Sequence, residues 1–182
     1  LNGTNITTTN DLYLFDIAED KAIDTIKVEQ GNFTLTLDVA EPKILVLTDR
    51  TSMMHYLVAE AGNLTLTSDT GLIKGSPLND RLVEFQNAYR NTGKDLEDKK
   101  AALIETFQKA GTEPTEAQIN ELQALDKQQR DLIATEAKKF YEVDKNNVLG
   151  TLELMMISSF VEESEFMSLY EQGGEAVKNF PP

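Results

Sequence analysis

The hydrophobic pattern of this chain changes period at Pro77, and that change limits the fold more than any other feature. Before it, apolar residues alternate with polar ones in short runs separated by turn residues. FTLTLD (33–38) is the clearest case: Phe33, Leu35 and Leu37 fall on one face, and Thr34, Thr36 and Asp38 on the other. Runs at 12–17, 22–29, 43–49, 53–60 and 64–69, with a short edge at 73–76, predict further strands. The unbroken apolar stretch from Ile44 to Leu47 predicts a central strand covered on both faces.

From Pro77 onward the spacing becomes helical. Ser76 reads as an N-cap, Pro77 as the first helical position, and Asp80 as first-turn negative charge. Leu82, Phe85, Tyr89, Leu96, Leu103 and Phe107 then follow a three-to-four spacing, with Gly93 as an interruption and Gly111 as a stop. Thr115 and Gln118 form a capping box, and Ile119, Leu122, Leu125, Leu132, Ile133, Ala137 and Phe140 carry a second long helix to about Val143. These two stretches predict an antiparallel helix pair. Further helices are expected over 148–159 and from 162 to Gly173-Gly174. The expected class is α+β: an antiparallel β-sandwich-like domain over 1–76, and a helical region over 77–182 packed on it.

At 182 residues the chain can bury a sizeable core, and its formal charge of −14 bears on partners. Residues 1–76 hold 11 acidic and 5 basic side chains, and residues 77–182 hold 20 and 12. Acid spread this evenly repels phosphate backbones and anionic membranes, so nucleic acid is not an expected partner. No stretch approaches the roughly 20 apolar residues of a membrane span. Without cysteine there is no disulfide or thiol chemistry within residues 1–182, and the redox compartment stays open. The start at Leu1 rather than Met reads as a piece of a longer protein.

Chemistry-bearing residues are sparse. His55 is the lone histidine, with no G-x-S-x-G, no second histidine and no thiolate, so neither a catalytic triad nor a histidine metal site is expected. DKNNVLGTLEL (144–154) departs from a calcium loop in its glycine position, and Met155 stands where the bidentate glutamate would be. Asn146-Asn147 reads as a helix stop and cap. KGSPLND (74–80) lacks the glycines and lysine of a phosphate loop and reads as capping. Glu162, Glu163, Glu165 and Glu171 read as a solvated acidic helix face. Four N-x-T sequons begin at Asn2, Asn5, Asn32 and Asn63, each readable as turn asparagine followed by strand threonine.

GNFTLTLD (31–38) returns 31 residues later as GNLTLTSD (62–69), with Glu29 and Glu60 also equivalent. Gly-Asn between strand-like runs predicts the same hairpin used twice rather than a functional repeat.

Those segments also carry a family resemblance. AIDTIKVEQGNFTL, with Asp24, Thr25, Gly31 and Phe33, resembles the first signature of a bacterial domain of unknown function. AEAGNLTLTSDTGLIKGSPLNDRLVEF, with Gly62, Gly75, Ser76, Asn79 and Asp80, resembles its second. FYEVDKNNVLGTLELM is similar to a later segment of the same family. Such domains lie in front of thioredoxin-like domains of the alkyl hydroperoxide reductase/thiol-specific antioxidant type. The resemblance implies an exported, often lipid-anchored protein of a Gram-negative envelope, with a C-x-x-C beyond Pro182. It implies that this chain is a non-catalytic, cofactor-free accessory domain of a thiol–disulfide oxidoreductase. Its partners would be the following thioredoxin-like domain, a protein substrate, or a second copy. Thr25, in Asp24-Thr25-Ile26, would be an O-glycosylation acceptor. The alternative is a stand-alone envelope module binding a peptide or small ligand at a sheet edge or along the helix pair.

Overall fold

A computed structural model describes residues 1–8 and 10–180. Pro181-Pro182, where the resemblance implies that a linker to a following thioredoxin-like domain begins, lies outside the described residues. All strands precede Ser76 and all helices follow it, so the molecule is α+β. Among the described residues seven strands form two sheets. The larger has the order β3-β2-β5-β6, all antiparallel: β2 is Leu12–Asp16, β3 Lys21–Ile26, β5 Lys43–Thr48 and β6 Met54–Ala59. The smaller has the order β4-β1-β7, with β1 at Asn2–Gly3, β4 at Phe33–Thr34 and β7 at Thr65–Leu66.

The sheets face each other across one core. Leu12, Leu14, Leu45, Leu47 and Leu57 of the larger sheet meet Phe33, Leu35, Leu64 and Leu66 of the smaller. This is a two-sheet sandwich, built on the alternation read from FTLTLD. β5 is the central strand that its apolar run predicts: Leu45 and Leu47 point into the sandwich, and Ile44 points into a second core beneath the helices. The four-stranded sheet is therefore the middle of three layers.

Three expectations need correction. The strands expected at 33–38 and 64–69 form ladders only over 33–34 and 65–66, because their partner β1 is two residues long. Pairing continues past the ladder where the Leu1 ammonium donates to the Leu35 carbonyl at 2.8 Å. β1 itself was not expected; it lies between the repeated segments, antiparallel to β4 and parallel to β7. The repeat is also not one hairpin used twice. Gln30 and Gly31 both take positive φ (51° and 75°), and a Glu29–Asn32 bridge closes that turn. The second copy lacks this closure, and Thr65 bridges Lys74 instead. What the copies share is topology: each carries the chain from the larger sheet to the smaller, on opposite sides of β1.

The helical layer begins with α1 (Pro77–Asn91) and α2 (Lys94–Ala110), separated at Gly93, whose φ is 76°. α3 (Glu116–Asp144) starts at the expected Thr115–Gln118 capping box and runs back alongside both. Arg81–Asp144, Phe85–Phe140 and Lys100–Asp126 pair along it, as an antiparallel arrangement requires. α4 (Val148–Ile157) follows, capped by Asn147, whose side chain accepts from the Leu149 amide at 2.8 Å. α5 (Glu163–Gln172) and the unexpected short α6 (Glu175–Lys178) complete the chain. Ile44, Val58, Phe85, Tyr141, Leu149 and Ile157 fill the core between the middle sheet and these helices. Beyond Leu96, α2 and the first half of α3 bury little, so this hairpin is held mostly by its own contacts.

Candidate functional site

The second group of motif residues converges on one joint, where β6 hands the chain across the small sheet and α1 begins. Ser76 occupies the N-cap position with extended backbone, but its hydroxyl does not cap the helix. It donates to Glu60 Oε1 at 2.5 Å, and the same oxygen accepts from the amides of Leu78 (2.7 Å) and Asn79 (3.2 Å). The carboxylate at the positive end of α1 thus comes from Glu60, 16 residues earlier. Sequence reading placed Glu60 only as the partner of Glu29 in the repeat, and helix-start rules do not reach that far along a chain.

Asn79 is fully buried and binds the outer edge of β6. Its Oδ1 accepts from the Val58 amide at 3.0 Å, and its Nδ2 donates to the Val58 carbonyl at 2.7 Å and to Ser76 Oγ at 2.9 Å. One side chain thereby satisfies both main-chain groups of a buried edge residue, as a neighbouring strand would. Asp80 Oδ1 accepts from the Gly75 amide at 2.9 Å. Gly75, at φ 115°, lies against the Asn63 main chain, and a β-carbon there would collide with the Asn63 carbonyl. Gly62 packs on Ser76 from the other side.

The first motif group divides. Gly31 hands its carbonyl to the Ile6 amide at 3.0 Å, and the buried Phe33 ring lies on Gly3 of β1, so both hold the N-terminal strand. Asp24 and Thr25 stand exposed on the edge strand β3, with Asp24 Oδ1 accepting the Thr25 amide at 2.7 Å. The ladder skips Ile23 opposite Leu14–Phe15, a bulge that blunts this edge against another strand.

His55 lies in β6, with Nε2 2.7 Å from the Asp69 carbonyl. Burial holds the imidazole below its ordinary value, against the upward pull of that carbonyl and of the Asp69 charge. The Asp69 carboxylate is taken by the amide and hydroxyl of Thr7. His55 thus has a structural partner, and its neighbouring acid points elsewhere. Among the described residues no group of His, Asp and Glu is placed to hold a metal ion, and no helix is long and apolar enough to cross a membrane.

Two features escaped the sequence reading. One is Glu153 of α4, 1% exposed, with neither carboxyl oxygen hydrogen-bonded. Burial first, and the Asp144 charge second, push its acid up to about 9, against the pull of Arg81. The signal was a glutamate inside the apolar run LELMMI. The other is a groove of about 440 Å³ between α4, α5 and α6, lined by Leu154, Met155, Phe166, Tyr170, Val177 and Phe180. No motif rule points to it, since its walls come from three helices.

These features define a class: a two-sheet sandwich with a helical cover, whose second group of motif residues builds the joint between sheet and helices. Residues 2–82 match a family described as "Domain of unknown function (DUF4369)". The matched stretch takes in both glycine–asparagine segments and the first turn of α1. No curated protein and no solved structure matches the chain.

Proposed function

We propose that the chain is a non-catalytic accessory domain of an envelope thiol–disulfide oxidoreductase, positioning or pairing a following thioredoxin-like domain and contacting its protein substrate. The observation that carries this reading is the joint at α1. Glu60, Ser76, Asn79 and Asp80 spend their polar groups on fastening the start of α1 to β6 and to the turn before it, which leaves them for scaffolding rather than chemistry. The resemblance of the segment carrying Ser76, Asn79 and Asp80 to a domain that precedes thioredoxin-like domains supplies the chemistry that this joint would serve. The parent protein should reduce its partner disulfides more slowly when residues 1–182 are deleted. Equal rates with and without them would remove the positioning role.

The groove of α4–α6 favours a second reading, a binding module for a peptide or small ligand. A thermal-shift screen of the isolated chain against peptides, glycans and metabolites separates the two, since the module reading requires a hit without any redox domain.

A further inference from the structure

We propose that the groove between α4 and α5 binds a basic amphipathic helix of a partner protein. Its walls are helices, and the residues that line it recur at helical spacing: Leu154 and Met155 follow Thr151 by three and four positions on α4, and Tyr170 follows Phe166 by four on α5. The main-chain groups of both walls are satisfied within the helices, so there is no strand edge to extend. The hydroxyls at the groove are also engaged. Thr151 donates to the Ala176 carbonyl, Ser158 to the Met155 carbonyl, and Tyr170 to the Lys178 carbonyl. What remains for a ligand is apolar surface, with Met155 of the lining 40% exposed. Flexible, polarisable methionine beside aromatic rings suits the apolar face of a helix, whose side chains it can repack around.

Charge selects among apolar occupants. Residues 148–180 hold six glutamates and one lysine, the lysine being Lys178. Glu153 is buried and Glu165 pairs with Lys138 on α3 at 2.7 Å. Glu162 and Glu163, four and three residues before Phe166, fall on its face of α5 by helical spacing, whereas Glu171 and Glu175 lie outside the groove lining; among the described residues none of the four is in an ion pair. A second copy of this chain would bring a second acidic rim against the first. Fatty acids and anionic lipid surfaces meet the same repulsion. A helix with one apolar face and lysines or arginines beside it meets attraction at the rim and burial in the groove.

This inference deepens the protein-contact part of the proposed function, and it is tested without the redox domain. The probe is a fluorescently labelled 18-residue leucine–lysine amphipathic peptide, titrated into the 182-residue chain at about 0.15 M salt, where distant surface charges are screened. One-to-one saturation with gain of peptide helicity is expected. Met155→Gln, and separately the Glu162→Gln, Glu163→Gln double variant, should each weaken binding about tenfold. Met54→Gln on the sheet, and Glu97→Gln with Asp98→Asn and Glu121→Gln on the distal hairpin, should leave it within about twofold. All these side chains are exposed, so unchanged melting temperatures confirm that the variants fold. Absence of saturable binding overturns the proposal, as does equal weakening by the distal variants. Uptake of neutral phosphatidylcholine vesicles that depends on Met155 would overturn it in favour of a lipid site. Loss of peptide binding leaves the deletion assay untouched, and unchanged disulfide reduction leaves the groove untouched.

Discussion

Asp49, at the end of β5 in the sandwich, and Glu153, in the helical layer, are both buried carboxylates, and their surroundings treat them in opposite ways. Asp49 accepts from the amides of Thr51, Ser52 and Met53 at 2.8–2.9 Å and from the Thr8 hydroxyl at 2.9 Å. Burial alone would raise its pKa, but those amide donors outweigh burial and hold it far below the ordinary aspartate range. Glu153 has the burial without the donors, and is pushed up to about 9. The sandwich can supply donors because a loop exposes its amides. A helix interior cannot, because its amides are already spent on the helix.

The largest contrast should come from removing each group. Asp49→Ala strips a loop of its anchor and should cost about 3 kcal/mol in urea unfolding, whereas Glu153→Gln should raise stability at pH 7, where folding of the wild type must protonate the glutamate. Similar losses at the two positions would break the comparison. Asn79→Ala probes the seam between the layers by leaving both Val58 main-chain groups buried without partners. A loss of about 2–3 kcal/mol is expected, and a loss under about 1 would mean that water replaces the side chain.

The pH profiles sharpen the contrast. Glu153 has its folded value raised above the unfolded 4.5, so the folded state binds the extra proton between 4.5 and about 9. Its contribution is fully present below 4.5 and is lost as pH rises toward about 9, with a slope of at most about 1.4 kcal/mol per pH unit. Asp49, held low, contributes above its ordinary value of 3.8 and loses that contribution as acid protonates it. Glu153→Gln should flatten the wild-type stability curve between pH 4.5 and about 9 and leave it unchanged below 4.5; a slope that survives the substitution assigns it to another group. The smallest effect separates the two repeat copies. Glu60→Gln should cost about 1–1.5 kcal/mol by weakening the α1 cap, and Glu29→Gln, at an exposed turn, under about 0.5 by thermal melting.

How much was legible follows the range of each interaction. The Thr115–Gln118 box, the Asn147 cap, the stops at Gly93 and Gly111, and β5 buried on both faces all depend on neighbours within a few positions. Each was readable for that reason. Ser76 was read correctly as an N-cap position and wrongly as the capping group, because the competing acceptor, Glu60, is 16 residues away. At the candidate groove nothing was legible beyond the acidic run of α5. Leu154, Phe166 and Val177 share a wall only after α4, α5 and α6 have packed.

The sequence by itself therefore determined the class, the division into strands before Pro77 and helices after it, and the Thr115–Gln118 and Asn147 caps, since periodicity and side-chain-to-backbone bonds act over one or two turns of chain. The tertiary structure alone decided three things: that the two glycine–asparagine segments flank a short N-terminal strand, that a carboxylate from β6's end caps α1, and that Glu153 is enclosed beside Asp144 and Arg81. Each of these unites groups far apart in sequence, and only burial of apolar surface across the layers brings them within hydrogen-bonding or Coulombic reach.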